Sequence, residues 1–319
     1  MEPILEQLLT SEEAYIRYRV RTGVLGEGPD SPEIRALREG IRVSPRVQAL
    51  LGEQEPDGAL PVRAYQKWRG AHWVLASLAD IGYPPGDDRL LPLREQVLAW
   101  LFSQKHQKHI VTIQGRTRRC ASQEGNALRA LLRLGIADER ADDLAQRLVG
   151  WQWPDGGWNC DRRPEASHSS FWESLIPIRA LVLHGQQTRN QDSTTAAQRA
   201  AELFLKHGLF RRLSDGAPMQ PEFLKLFYPW YWRYNILAGL SAMVEVGCIH
   251  DPRCTEALDR LEARRLPGGG FPADTKFYRV SSSETSGVSR VSWGPATGKK
   301  MNEFVTAEAL VVLHAAGRL

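Results

Sequence analysis

Residues 151–158 read WQWPDGGW, and residues 168–185 read HSSFWESLIPIRALVLHG. The first stretch ends an apolar helical pattern in a tight Asp-Gly-Gly turn, and the second is a long helical pattern running to a glycine. The spacing predicts that Trp158 packs over the end of the preceding helix while Gln152 bonds exposed backbone groups there. The glycine ending recurs along the chain. YRVRTGVLG runs to Gly26, VLASLADIG to Gly82, ALRALLRLG to Gly135, ILAGLSAMVEVG to Gly247 and ALVVLHAAG to Gly317, with IPIRALVLHG reaching Gly185. Each segment reads as a helix closed by a glycine just past its C-cap, where a positive φ is cheap without a Cβ. The separations of 56, 53, 50, 62 and 70 residues leave room for two helices and a loop per repeat.

Second helices fill the gaps. Residues 93–103, 141–151, 195–207 and 254–264 carry apolar side chains at helical spacing, and a shorter pair at 33–39 and 45–51 fills the first interval. Strand signals are nearly absent, with no Asn-Gly or Asp-Gly turn between alternating runs. The expected fold is all-α: a single α/α toroid of about six helical hairpins over residues 1–319. Residues 45–319 hold the clear repeats, residues 1–44 supply helices that complete the ring, and the Ser-rich, basic stretch 272–300 forms a long loop or lid.

Composition narrows the class. Hydrophobic residues make up 42% and charged residues 24%, the values of an ordinary folding chain. No apolar run reaches the roughly 20 residues that span a bilayer. The first 13 residues carry Glu2, Glu6, Glu12 and Glu13 without a basic segment, so no secretory signal is expected. Four cysteines without a CxxC pair fit a reducing, cytoplasmic setting. A net charge of +4 is too small to imply nucleic acid, and only 8 of the 41 basic residues are Lys.

Counting back four and seven positions from the glycines gives Leu78/Leu75, Leu131/Leu128, Leu181/Ile178, Met243/Leu240 and Leu313/Leu310, a core face. The opposite face is mixed: Trp73; Arg119, Gln123 and Asn126; Ser169, Glu173 and Ile176; Tyr231 and Asn235; Glu308. Aromatic and amide side chains fit the lining of a partly dry cavity better than a solvated surface. The segment YPWYWRYN at 228–235, read as helical, adds Trp232 to this set, with core packing an equal reading.

Gln152-x3-Gly156-x-Trp158 after a helix, with a weaker copy at Gln54-x3-Gly58-x-Leu60, resembles the QW repeat of triterpene cyclases and of protein prenyltransferase β-subunits. DGGWNC at 155–160 followed by HSSFWESLIPIRALVLHG is similar to bacterial proteins labelled squalene-cyclase-like, and the likeness runs from about residue 46 onward. The resemblance implies an α/α toroid whose central cavity takes an apolar, isoprenoid-like ligand. It also implies terpene-cyclase-like chemistry of cyclisation or isomerisation, and peripheral membrane contact to collect the ligand.

The families' own motifs are missing. No Asp-x-Asp-Asp acid occurs, since Asp87-Asp88 and Asp142-Asp143 read as turn and helix N-terminal acids. At the prenyltransferase zinc positions stand Ala166 and His168, and the later His falls near Val305. A rearranged set would be Cys160, Asp161 and His168, but its spacing matches no strong metal pattern, so neither metal nor cofactor is expected.

Glu173, His168 and Glu308 are the expected catalytic residues. Trp73, Arg119, Gln123, Asn126, Trp172, Tyr231, Trp232 and Asn235 are the expected substrate-binding residues. A carboxylic acid buried in such a cavity has a raised pKa suited to acid/base work, unless Glu173 pairs with Arg119 or Arg17. Two other readings stand beside this one: a non-catalytic binding or scaffold toroid, and a carbohydrate-active toroidal lyase or hydrolase.

Overall fold

The computed structural model describes residues 3–283 and 285–319. About half of the chain is helix and 5% is strand. Fourteen α-helices occur among the described residues. The first five are α1 (Pro3–Leu9), α2 (Ala14–Gly23), α3 (Pro32–Arg42), α4 (Pro45–Leu51) and α5 (Ala71–Asp80). The next five are α6 (Leu91–Leu101), α7 (Gln104–Gln107), α8 (Ala121–Arg133), α9 (Arg140–Trp151) and α10 (Phe171–Thr188). The last four are α11 (Gln191–Lys206), α12 (Ile236–Val246), α13 (Thr255–Glu262) and α14 (Glu303–Ala315).

Helices α2, α5, α8, α10, α12 and α14 carry the glycine-terminated segments, and they pack in series. Helix α5 lies against α8, α8 against α10, α10 against α12, α12 against α14, and α14 against α2. The ring of Tyr18 in α2 reaches Gly82 just beyond α5, where a Cβ would come within 2.6 Å of it. Helix α3 packs on α2 and α13 on α12, while α6, α9 and α11 each bridge two neighbouring members: α5 and α8, α8 and α10, α10 and α12. The predicted core face is buried throughout: Leu75, Leu78, Leu128, Leu131, Ile178, Leu181, Leu240, Met243, Leu310 and Leu313 all belong to one cluster that joins the first helix to the last.

The glycine ends hold at five positions. Gly26, Gly82, Gly135, Gly247 and Gly317 have φ between 63° and 83°. At four of them the next residue donates its N–H five residues back, as in Tyr83 to Leu78 (3.0 Å) and Cys248 to Met243 (2.8 Å), which satisfies helix-end carbonyls. Gly185 is different. Helix α10 continues through it to Thr188 and ends on Arg189 at φ 59°. Its smallness serves packing instead, since a Cβ there would lie 2.5 Å from Thr194 Oγ1 at the start of α11.

Two further expectations are corrected, and the 272–300 stretch gains a position. Residues 111–118 form a hairpin, Val111–Ile113 against Arg116–Arg118, around Gln114 and Gly115 at φ 50° and 69°. Two positive φ values make the turn type that suits strand twist, and Gln-Gly supplied it in place of Asn-Gly. The aromatic segment 228–235 is irregular chain with a turn at Tyr231 and Trp232, and α12 begins only at Ile236 under an Asn235 side-chain cap. Within 272–300, Val288, Tyr278 and Trp293 are buried, and Gly287 N–H donates to Lys67 O while Trp68 N–H donates to Val288 O. That stretch is stitched onto the loop before α5.

The Trp158 device is built as the spacing requires. Trp158 is 1% exposed and its Nε1 donates to Leu148 O near the end of α9 (2.8 Å). Gln152 Nε2 donates to Gly156 O and to Ala196 O of α11, both at 2.7 Å. Gly156 sits at φ 97°, and a Cβ there would strike Arg199 O at 2.3 Å. Trp158→Ala should therefore lower unfolding stability by about 3–5 kcal/mol in urea titration. A midpoint that does not move would show that the turn stands apart from the core.

Candidate functional site

Two clusters of functional groups lie at opposite ends of the inner helices. The first gathers where α8 and α10 begin. A backbone bridge between Arg118 and Asn159 lays the approach to α8 alongside the chain leaving the Trp158 turn. Cys120, at the N-cap of α8, and Cys160 are thereby brought together. Helix α10 contributes Glu173 from its first turn. Close contact of α8 with α10 needs Gly125, since a Cβ there would meet Pro177 N at 3.0 Å.

Glu173 Oε2 accepts from Ser122 N–H (3.2 Å), and Oε1 accepts from Cys160 Sγ (3.7 Å). The ligand atoms of Cys120, Cys160 and Glu173 all lie within 4.8 Å of one another. Glu173 is 7% exposed, and among the described residues no basic side chain forms an ion pair with it. Burial raises its pKa above the ordinary carboxylate value, outweighing the hydrogen bonds from Ser122 and Cys160. The two thiols lie close together, and their contact raises Cys120 and lowers Cys160.

The expected pairing of Glu173 with Arg119 or Arg17 is not made. Arg119 is held by Gln123 (2.5 Å), Glu124 (3.6 Å) and His106, and Arg17 donates to Ser11 O. Gln123 thus lies beside the Glu173 centre with its oxygen engaged. Tyr65 borders the same region, and burial pushes its hydroxyl up to about 12. Around it, Trp68 stacks on Tyr231 at 3.9 Å between ring centres, Trp73 meets Trp68 at 4.8 Å, and Lys67 Nζ sits 3.9 Å over the Trp232 ring. Trp73 and Tyr231 are buried among these rings. An open cavity of about 950 Å³, lined by Tyr65, Trp100, His106, Gln96 and Lys105 among others, adjoins this wall.

Other expected residues fall elsewhere. His168 is exposed, and Asp161 is exposed enough to fork with Arg163 (2.5 Å), so the Cys160–Asp161–His168 set does not converge. Trp172 is 37% exposed and borders a separate surface hollow with Phe171 and Phe223. Asn235 caps α12, accepting from Ala238 N–H and donating to Lys225 O, which leaves it no part in a polar belt. Asn126 is buried in α8 with its Nδ2 unpartnered. Cys120 was missed as a partner of Cys160 because 40 residues separate them, and only the bridge at Arg118 closes that distance.

Glu308 belongs to the second cluster, beside Arg19 and Tyr15 of α2. Its carboxylate accepts two hydrogen bonds from Arg19 (2.8 and 2.9 Å) and one from Tyr15 Oη (2.6 Å). Burial pushes Glu308 up, but Arg19 and Tyr15 outweigh it and hold the group below the usual carboxylate range. An ionised, fully paired carboxylate is a poor proton donor, so Glu308 is corrected from acid/base residue to ion-pair member. Arg179 forks onto Glu245 (2.7 and 2.8 Å), and Arg129 reaches Asp80 (2.5 Å) in the same cluster.

No family model matches the chain, and no curated protein matches it. No helix among the described residues is long and apolar enough to cross a membrane.

Glu245 gives a pH test. Burial raises it, Arg179 overrides burial, and it titrates at about 2 against an unfolded value of about 4.3. A depressed folded pKa contributes stability above the unfolded pKa and loses it as pH falls toward the folded one. Urea midpoints taken at pH 6 and pH 3 should therefore drop further for the wild type than for Glu245→Gln. Equal drops would show that this pair contributes nothing to acid sensitivity.

Proposed function

We propose that the six inner helices close a toroidal ring and that the protein is an enzyme of small-molecule chemistry, with its reacting centre at Glu173. One observation carries this reading: Glu173 is a buried carboxylic acid with a raised pKa, unpaired by any described cation and flanked by two thiols. Such a group holds its proton more firmly than an ordinary carboxylic acid and can donate it where water is excluded. The wall of Tyr65, Trp68, Trp73, Tyr231 and Trp232 supports an apolar, isoprenoid-like ligand, because aromatic faces accept carbon chains and stabilise developing cations. The reaction class is proton-initiated cyclisation or isomerisation. A proton leaves Glu173 for an alkene carbon, a cation forms beside the aromatic faces, and a proton returns from carbon to the carboxylate. Atoms and charge balance without an oxidant.

A second reading is favoured by the close approach of the three ligand atoms. Two thiolates and one carboxylate within 4.8 Å are a donor set that suits zinc, with a fourth position left for a ligand. The metal would also stabilise the ionised form of a carboxyl group whose pKa burial raises.

The two readings separate experimentally. Elemental analysis of the purified protein should find it zinc-free, and chelation should leave its melting curve unchanged. One zinc per chain, lost in Cys160→Ser, would establish the second reading instead. With polyprenyl or squalene-type alkenes as substrates, Glu173→Gln should reduce turnover by at least about 100-fold while the melting temperature stays within a few degrees. Full activity in that variant would remove Glu173 from the chemistry.

A further inference from the structure

Side chains of all six inner helices border a cavity of about 340 Å³ that the Glu173 chemistry does not use. Helix α2 lines it from Tyr15 to Gly23, α5 with Asp80, α8 with Arg129 and Arg133, α10 with Arg179, α12 with Ser241 to Glu245, and α14 with Glu308 to Ala315. Tyr228 and Trp230 fill the remaining side.

The polar groups here divide sharply. The carboxylates of Asp80, Glu245 and Glu308 are each engaged by a guanidinium: Arg129, Arg179 and Arg19 in turn. Four buried donors make no hydrogen bond of good geometry: Arg129 Nη2, Tyr228 Oη (which lies near the Tyr15 hydroxyl), Trp230 Nε1 and Ser241 Oγ. Arg129 is 3% exposed and Trp230 4%. The guanidinium and indole nitrogens can only donate, and the two hydroxyls can do so. An unsatisfied buried donor is costly, and a cluster of four around one cavity calls for a group rich in acceptor atoms.

Charge points the same way. The cavity wall holds Arg19, Arg129, Arg133 and Arg179 against three carboxylates, and Arg133 is the cation left over. Arg129 is lowered from its usual range by burial and then by Arg179, two guanidiniums crowding each other. Helix C-termini themselves disfavour an anion, so its cover must come from these side chains. An outer hollow of about 260 Å³ shares Arg129, Arg133, Arg179 and Glu245 with the cavity wall, which places the guanidiniums between the interior and solvent.

We propose that this cavity is a binding site for a small oxyanion of the phosphate type, held by Arg129 with Tyr228, Trp230 and Ser241 donating to its oxygens. The site lies at the opposite end of the helices from Glu173 and is independent of the function proposed above. Phosphate oxygens accept several hydrogen bonds at once, and guanidinium groups bind them with charge-assisted hydrogen bonds.

The test is a ligand-dependent melting series on the full chain. Inorganic phosphate should raise the melting temperature in a saturable manner that sodium chloride at equal ionic strength does not reproduce. Calorimetry should give one site per chain. Trp230→Phe and Ser241→Ala each remove a donor while keeping the packing, and each should weaken phosphate binding about tenfold with the unliganded fold intact. Arg129→Lys should weaken it further, and should it fail to fold, the Trp230 and Ser241 variants still decide. Stabilisation by phosphate no greater than by chloride overturns the proposal. So does a phosphate response that survives unchanged in the Trp230→Phe/Ser241→Ala double variant. Malonate serves as the carboxylate arm, and binding of malonate with none of phosphate would also overturn the phosphate assignment.

Discussion

Arg19 and Glu308 stand 289 positions apart and meet in a two-pronged ion pair, with the Tyr15 hydroxyl as a third contact. This contact joins the first inner helix to the last. A buried pair of this kind gives little net stability, because desolvation offsets most of the attraction. Its effect is on register. Neither charge can be left alone in the interior, so α14 must lie against α2 at the height where guanidinium and carboxylate coincide. The cavity between the helices exists because the series ends in this way.

Helix polarity then sorts the chemistry along the inner helices. The N-terminal ends hold Cys120, Glu173 and the hydrogen bond from Ser122 N–H, groups that gain from the partial positive charge of exposed amides. The other cluster is bordered by Arg19, Arg129, Arg133 and Arg179, of which Arg133 stands in the last turn of α8 and offsets the opposite partial charge there. One cluster thereby gathers an acid and two thiols beside aromatic rings, and the other gathers guanidiniums and carboxylates. The two centres share α8 and α10 as common walls, and neither needs the other's side chains.

Much of the helical plan was legible in the chain. Leucine spacing marked the buried stripe, because only a 3.6-residue period sets positions four and seven before a glycine on one face. Five of the six glycines ended their helices as read, since a positive φ there favours a residue without a Cβ. Gly185 misled because glycine also serves close packing, and its contact with Thr194 is set by a neighbouring helix. The hairpin at 111–118 escaped notice because its turn residue is Gln in place of the usual Asn or Asp. The aromatic run at 228–235 looked helical by composition, yet its rings are placed by Trp68, Trp73 and Trp293, all distant in sequence.

The sites divide along the same line. Glu173 could be singled out from its position in the repeat, because a lone acid on a mixed helical face is visible in one dimension. What surrounds it could not be read that way. Cys120 reaches Cys160 through a backbone bridge, Arg119 turns to Glu124 and His106, and Glu308 is neutralised by a residue at the other end of the chain. Periodicity is a local property, set by backbone geometry within a few turns, so the sequence alone determined which segments are helical and which face is apolar. Charge pairing and donor satisfaction depend on distances across helices, and the tertiary structure alone decided which polar groups are paired and which remain free to meet a ligand.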